Sequence, residues 1–598
     1  MAERLIESVL RGIREVKSLD FSNFSIDNRK LWDSLDLDLK KEIICKAEHI
    51  SFSEKDYISL ALYRDFKKTG ERKNFENVYF EKRKKLSLLT VAECVENKDR
   101  FIPLIEEGIW SLLSEPSWVL PAHNSYIRDT EQLDTPLLAR PVLDLLSCES
   151  AEILALVRAV LKSRLSPIIT DDIEYVLRER IVNAYTSDSF WWMGGDGKLN
   201  NWSTWCTQNV LISSLSLESL DDKTRFKIIR QATDTLDRFI DSYESDGACA
   251  EGASYYHAAA LTLFSALLLI EKATGRSFDE FYRNEKIRAM AAYIEDVHIA
   301  KDNYLNYADC SPKAGNLGAR EFLFAKATGN EAMMHHAALD YMRYGFEEDD
   351  NSYNLYYKLI ALHSFSDIKK EAERKVSIKK PSLKVFKESE LAIYREGDIT
   401  FAIKGGNNGE SHNHNDVGSI ILYAGSKPLL IDIGVETYTK TTFSKDRYTL
   451  APMQSAYHNL VNFPPVMQKD GPLFRAKDVT INDSDAYFDL TGAYPETEGL
   501  RKYVRRIHFE RSKRQIIVYE DIEATIVPVL SLISVEKPEQ KGHILEFDSF
   551  SIEFDSTLSF TLEEMDIKDA RLLKAWPSRL YRSLLHLDGS VKWTIFIK

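Results

Sequence analysis

The chain is poor in cysteine. Six cysteines in 598 residues, at Cys45, Cys94, Cys148, Cys206, Cys249 and Cys310, are too few and too scattered for a disulfide scaffold. No two stand at the spacing of a thiolate zinc site, so they read as single thiols in a reducing compartment. Cations are in deficit: 78 Lys and Arg face 92 Asp and Glu, a formal net charge of −14. That argues against a nonspecific nucleic-acid binder, which needs surplus cations to displace phosphate counterions. A long apolar run is missing as well. The longest, Ala258 to Ile270, is short for a bilayer and is broken by Thr262 and Ser265. The opening residues, MAERLIESVLRGIREVKSLD, carry charges every three or four positions and no apolar core of a secretory signal. These absences predict a cytoplasmic protein with neither a nucleic-acid nor a membrane partner; a homo-oligomer remains compatible with them.

What is present is an ordinary globular balance, 44% hydrophobic and 28% charged, at a length that fits two or three domains. The pattern changes near residue 375. Before it, apolar residues recur at three and four spacing in Ala151 to Leu165, Phe226 to Tyr243, Ala258 to Ala273 and Asn330 to Tyr344. Many helices of this length suggest a helical toroid or solenoid, and no fixed-period repeat supports the solenoid. A lysine-rich passage with one proline, Lys369 to Lys387, reads as a linker. After it, short strands flank tight turns, at Arg395 to Asp398 and again at Ala424 to Pro428, and Val591 to Ile597 closes the chain. The predicted organisation is a helical domain over 1–370, a linker over 371–387 and an antiparallel β-sandwich over 388–598.

The densest chemistry lies in ESHNHNDVG, Glu410 to Gly418. In an extended segment His412, His414 and Asp416 leave on one face, a candidate metal or acid–base site. The pattern is similar to the HxHxDH of metallo-β-lactamase-like hydrolases, but Val417 stands where that motif needs histidine. With His414, Asp432 in LLIDIG and His458 in SAYHN form a set suited to zinc, if the fold gathers them. Taken singly, Asp432 also fits a turn-capping carboxylate and His458 a core histidine. In the helical half, Asn200 to Trp205 combines amides with indoles, which suits a sugar's polar rim and apolar face, or equally a capped helix with core tryptophans. In DGACAEGASYYH, Tyr256 and His257 follow Glu251; a tyrosine at a helix start could exchange a proton, or could simply pack in the core.

Asn201-Trp202, Tyr256-His257, HNHND with GSKPLLIDIG, TYTKTTFSKDRY and SAYHN, in this order, together with WVLPAHN at Trp118 to Asn124, resemble the heparinase II/III family of polysaccharide lyases. The resemblance implies an N-terminal incomplete (α/α) toroid, a C-terminal antiparallel β-sandwich and β-elimination on a uronic-acid-containing poly- or oligosaccharide. It implies that Asn201 binds the sugar carboxylate, that Tyr256 is the general acid on O4, and that His412 is a base or a carboxylate partner. It places Trp202, Trp205, His123, Glu251, Tyr438, Arg447 and Tyr448 with the substrate, and a structural zinc on His414, Asp432 and His458, with no organic cofactor. Trp202 departs from the family, several members of which carry histidine there, and this moves weight onto Tyr256. Two other readings compete. A glycoside hydrolase on the same toroid needs a carboxylate pair, of which Glu251 is one member without an evident second. A silent glycan-binding protein would tolerate loss of Tyr256 and His412. A polyanionic substrate also needs a local cationic cleft, for which Arg447, Arg501, Lys502, Arg505 and Arg506 are available, although strand arginines often face solvent.

Overall fold

The computed structural model describes residues 4–128, 130–195, 199–345, 353–376, 378–439 and 441–598. Its contacts divide the chain into two compact units: 1–243, 257–291 and 316–376 form the first, and 244–256, 292–315 and 377–598 the second. The domain limits read from composition differ from this. The helix Leu355–Ala372 runs into the expected linker and the strand Leu383–Phe386 begins inside it. Two short segments of the front half also cluster with the strands. Composition follows long elements, and these segments are too short to register in it.

The first unit is helical. The predicted helices appear as Leu145–Leu161, Asp222–Ser242, Ala260–Thr274 and Glu331–Tyr344, the last capped by the Asn330 side chain on the Met333 amide. The helix Asn201–Leu215 packs against Leu145–Leu161, Asp222–Ser242 and Ala260–Thr274 and is buried on nearly every face. Some of its polar side chains are satisfied inside the unit, Ser213 Oγ donating to the Asn209 carbonyl at 2.8 Å and Ser203 Oγ to the Trp192 carbonyl at 2.7 Å. By length and composition the stretch Ala253–Thr274 would pass for a membrane span; 78% of its most apolar window is buried within the protein, as in a core helix.

Glu149 and Glu152 are among the glutamates buried in this helical core. Glu149 accepts from Asn354 Nδ2 at 2.7 Å, and Glu152 from the Tyr356 amide at 2.6 Å. Burial pushes the Glu149 carboxyl up to about 7, against the lowering effect of the Asn354 hydrogen bond. A carboxyl raised in the fold adds stability that is complete below its unfolded value and lost as pH rises through its folded value. The expected result is a loss of about 3 kcal/mol of unfolding free energy as pH rises from about 4.5 to about 8. Glu149→Gln, which keeps the acceptor for Asn354, should flatten that slope in denaturant titrations; equal slopes for both proteins would contradict it.

The second unit is antiparallel β. One sheet orders Leu383–Phe386, Leu391–Glu396, Ile399–Lys404, Ile420–Ala424 and Lys427–Leu430. Its two predicted hairpins turn at Gly397 and Gly425, with φ of +56° and +57°, where glycine carries no Cβ penalty. An eight-stranded sheet is centred on Leu500–Glu510, Gln515–Ala524 and Val591–Ile597. A four-stranded sheet contains Leu460–Asn462, Val529–Ser534, Arg579–His586 and Ser559–Asp566. Phe401, Leu422, Phe488, Tyr503, Leu530 and Trp593, drawn from all three sheets, share one apolar core.

Arg505 is neither a solvent-facing strand residue nor part of a cationic cleft. It is fully buried, forks onto Glu520 at 2.7 Å, and donates from Nη1 to the carbonyls of Gly418 at 2.7 Å and Asn459 at 2.8 Å. One guanidinium thereby ties the loop after HNHND to the residue next to His458.

Candidate active site

The segment carrying HNHND is not a strand, because His412 has a φ of +57°. That left-handed conformation is strained for a residue with a Cβ and persists where the surroundings fix it. The strand alternation that would align His412, His414 and Asp416 therefore fails. Asp416 turns to the buried Lys404 at 3.0 Å, an ammonium that also meets Glu410 at 3.0 Å.

What fixes His412 is Asp309, a residue that no sequence pattern marks. The Asp309 amide donates to the His412 carbonyl at 3.1 Å, and His412 Nδ1 donates back to Asp309 Oδ2 at 2.9 Å. The other carboxylate oxygen, Oδ1, accepts from His414 Nε2 at 3.2 Å and from Arg447 Nη2 at 2.5 Å. Burial raises the Asp309 pKa, but hydrogen bonds from His412, His414 and Arg447 outweigh it and hold the carboxyl well below the usual carboxylate range. It is a permanent anion. Its bond to Nδ1 of His412 puts the proton on that nitrogen and leaves Nε2 as the acceptor. Glu251, also buried, places Oε2 at 3.7 Å from that Nε2.

A phenol lies against His412, and it belongs to Tyr255. The two rings are 4.7 Å apart, and Tyr255 Oη is 2.7 Å from Tyr438 Oη. Tyr438 donates in turn toward Asp309 at 3.4 Å and lies under the Arg571 guanidinium, 4.7 Å from its ring centre. Burial, with Tyr438, Asp309 and Glu251 nearby, pushes the Tyr255 hydroxyl well above its ordinary value, so it is a neutral donor at neutral pH. Tyr256, the tyrosine favoured by the sequence, is fully buried, with its ring 6.4 Å from that of Tyr293. Successive residues of a helical turn point in different directions, so only one of the pair faces His412.

Two other expected substrate ligands are engaged by the protein. Arg447 bonds through Nε, Nη1 and Nη2, reaching Asp309 and the carbonyls of His412, Asn413 and Thr442. Tyr448 donates to Asn413 Oδ1 at 2.8 Å. Both hold the HNHND loop in place.

His414, Asp432 and His458 do come together, with one ligand atom of each within 4.8 Å of the others, all three side chains being buried. His458 Nδ1 and Asp432 Oδ2 meet at 3.0 Å, while His414 Nδ1 and His458 Nε2 make no hydrogen bond. Buried polar atoms left without partners fit a bound cation, and two imidazoles with a carboxylate are a zinc donor set. Asp309 on the far nitrogen of His414 stands where an outer carboxylate would orient that ring toward a metal.

The first unit holds Asn201, Trp202, Trp205 and His123. Asn200, not Asn201, caps the helix, accepting from the Trp202 amide at 3.0 Å, and Asn201 is buried in its first turn. The His123 and Trp202 rings are 4.7 Å apart, Trp202 and Trp191 are 4.9 Å apart, and Arg128 covers Trp191 at 4.9 Å. His123 Nδ1 is held by Asp144 at 2.8 Å. This half-exposed aromatic row includes Trp191 and Arg128, which sequence reasoning missed. Trp205 is half-buried, with its Nε1 turned inside the unit.

Residues 378–524 match the family model described as Heparinase II/III-like, C-terminal. The chain carries a heparinase II/III-like C-terminal domain. By sequence, no curated protein matches it. Among solved structures it is similar to a heparinase III, at a TM-score of 0.59 and 12% identity over 99% of this chain and 93% of that one. A heparan sulfate lyase HepC mutant from Pedobacter heparinus gives 0.56 at 13% identity, over 94% and 83%. A chondroitin AC lyase from Streptomyces coelicolor A3 gives 0.52 at 11% identity, over 96% and 82%. At these identities the likeness is one of fold. The fold class is the predicted one, an N-terminal incomplete (α/α) toroid followed by a C-terminal antiparallel β-sandwich.

Proposed function

We propose that this chain is a polysaccharide lyase that cleaves uronic-acid-containing glycans or oligosaccharides by β-elimination. The observation that supports this reading most is the neutral Tyr255 phenol lying against His412, whose tautomer is set by an ionised Asp309. Elimination needs a base at C5 and an acid at O4. His412 Nε2 accepts the C5 proton. The electrons left behind form the C4–C5 double bond as the C4–O4 bond breaks, and Tyr255 gives its proton to O4. No water is consumed; His412 returns its proton to solvent and the phenolate regains one. The sugar carboxylate must be neutralised to acidify C5, and the resemblance assigns that task to Asn201. The Trp202–Trp191 row offers flat apolar faces of the kind sugar rings stack on.

His414, Asp432 and His458 would hold zinc, which when bound supplies a fixed positive charge and locks the His414 ring. Elemental analysis of the purified protein is expected to find about one zinc per chain, lost in His458→Ala together with several degrees of melting temperature. Metal-free wild-type protein with an unchanged melting temperature would contradict this.

The hydrolase reading weakens because Asp309 is clamped by two imidazoles and a guanidinium, which leaves Glu251 alone. A panel of uronic-acid glycans and their oligosaccharides, followed by ultraviolet absorbance of the new double bond, tests the proposal. New reducing ends without that absorbance would indicate hydrolysis and reject it.

A further inference from the structure

The first unit contains a cavity of about 450 Å³, the size of a small-molecule site, whose lining shares no residue with the Tyr255–His412 cluster or with the aromatic row. Its wall includes a π-helical turn, Arg178–Val182, inserted between the helices Pro167–Leu177 and Asn183–Ser187. Such turns are rare, occur mostly as single-turn bulges inside α-helices and are frequent at functional sites. Here the turn brings Arg180 to the cavity wall, with its guanidinium 4.7 Å from the ring centre of the buried Trp118.

Arg180 is the unusual group. Nη1 is buried without a hydrogen-bond partner, and among the described residues no carboxylate pairs with this guanidinium. The nearby Glu115 is taken by Lys82 at 2.7 Å and Arg83 at 2.8 Å. The other lining charges are accounted for: Arg140 pairs with Asp188 at 2.6 Å, and the exposed Glu179 accepts from Asn183 at 3.1 Å. The half-buried, unpaired charge of the cavity is therefore positive. A charge in that setting acts more strongly than the solvated Glu179 beside it. At the rim, Leu138 and Tyr175 are 63% and 66% exposed, apolar surface with no partner of its own.

We infer that this cavity binds a small organic carboxylate with an apolar face, the carboxylate meeting Arg180 and the apolar face meeting Tyr175 and Leu138. A uronic acid belongs to this class and so does an aromatic acid; the cavity would then be a second ligand site, independent of the proposed elimination chemistry.

Isothermal titration of the full chain with glucuronate, benzoate and the neutral methyl glucoside tests this. At least one of the two acids is expected to bind saturably, and methyl glucoside is not. Arg180→Gln should weaken the acid at least about tenfold, Arg180→Lys less, and the exposed Tyr175→Ala severalfold without threatening the fold. His412→Ala should bind as wild type does, which separates this cavity from the other site. Whichever acid binds more tightly identifies the ligand as sugar or non-sugar. Saturation by neither acid, equal binding of methyl glucoside, or wild-type affinity in both Arg180→Gln and Tyr175→Ala would overturn the inference.

Discussion

Tyr255→Phe is expected to lower kcat by about 10³-fold on any glycan the protein cleaves, with KM changed little, whereas Tyr256→Phe should stay within about tenfold of wild type. The two tyrosines are neighbours in one short helix and differ in a single respect. Tyr255 lays its ring on His412 and its hydroxyl on Tyr438, while Tyr256 is wholly enclosed. A general acid must reach the leaving oxygen, and an enclosed phenol cannot. Because the acid acts in the transition state, its loss appears in kcat more than in KM. His412→Ala should cost a similar factor, and the double variant little more than either single one, since the two groups serve one step. Initial rates from the ultraviolet signal decide this. A dead Tyr256→Phe beside an active Tyr255→Phe would move the phenol's role one residue along and remove the main support for the proposed chemistry.

The second large effect is expected at Asp309. Asp309→Asn keeps the shape but removes the charge from a carboxylate that two imidazoles and a guanidinium approach at 2.9, 3.2 and 2.5 Å. Breaking a buried ionic network by neutralising one member costs about 3–5 kcal/mol, and the His412 ring would lose the bond that sets its tautomer. Activity should fall about 10²-fold or more, and zinc should be lost to a competing chelator at about 10- to 100-fold lower concentration, because Asp309 orients His414. The metal measurement separates positioning from mere destabilisation. Full activity with unchanged chelator resistance would show that Asp309 is only a structural ion pair.

Helices and strands were legible wherever apolar periodicity ran for several turns or alternations, which is why Asp222–Ser242 and the hairpin Leu391–Glu396 with Ile399–Lys404 fall close to their predicted places. The gathering of His414, Asp432 and His458 was legible from residue type alone. The choice between Tyr255 and Tyr256 was not, since a helix of four residues has no period to read. Asp309 was hidden because its loop, which holds Ala308 at a φ of +63°, obeys neither period. His412 misled for the same reason: its left-handed backbone cancels the alternation that strand reasoning assumes. Arg505 sits among outward-pointing cations in Arg501, Lys502 and Arg506, and only the pleat of the strand reveals that it points inward.

The membership of 244–256 and 292–315 in the β unit bears on how the protein can be dissected. A gene truncated to start at the lysine-rich passage would encode every strand of the three large sheets and the cluster of His414, Asp432 and His458, yet neither Tyr255 nor Asp309. Such a fragment would lack the anion that holds both histidine rings and the phenol that lies against one of them. Splitting this protein for recombination or for domain swapping between homologues therefore calls for grafting those two short inserts along with the sandwich.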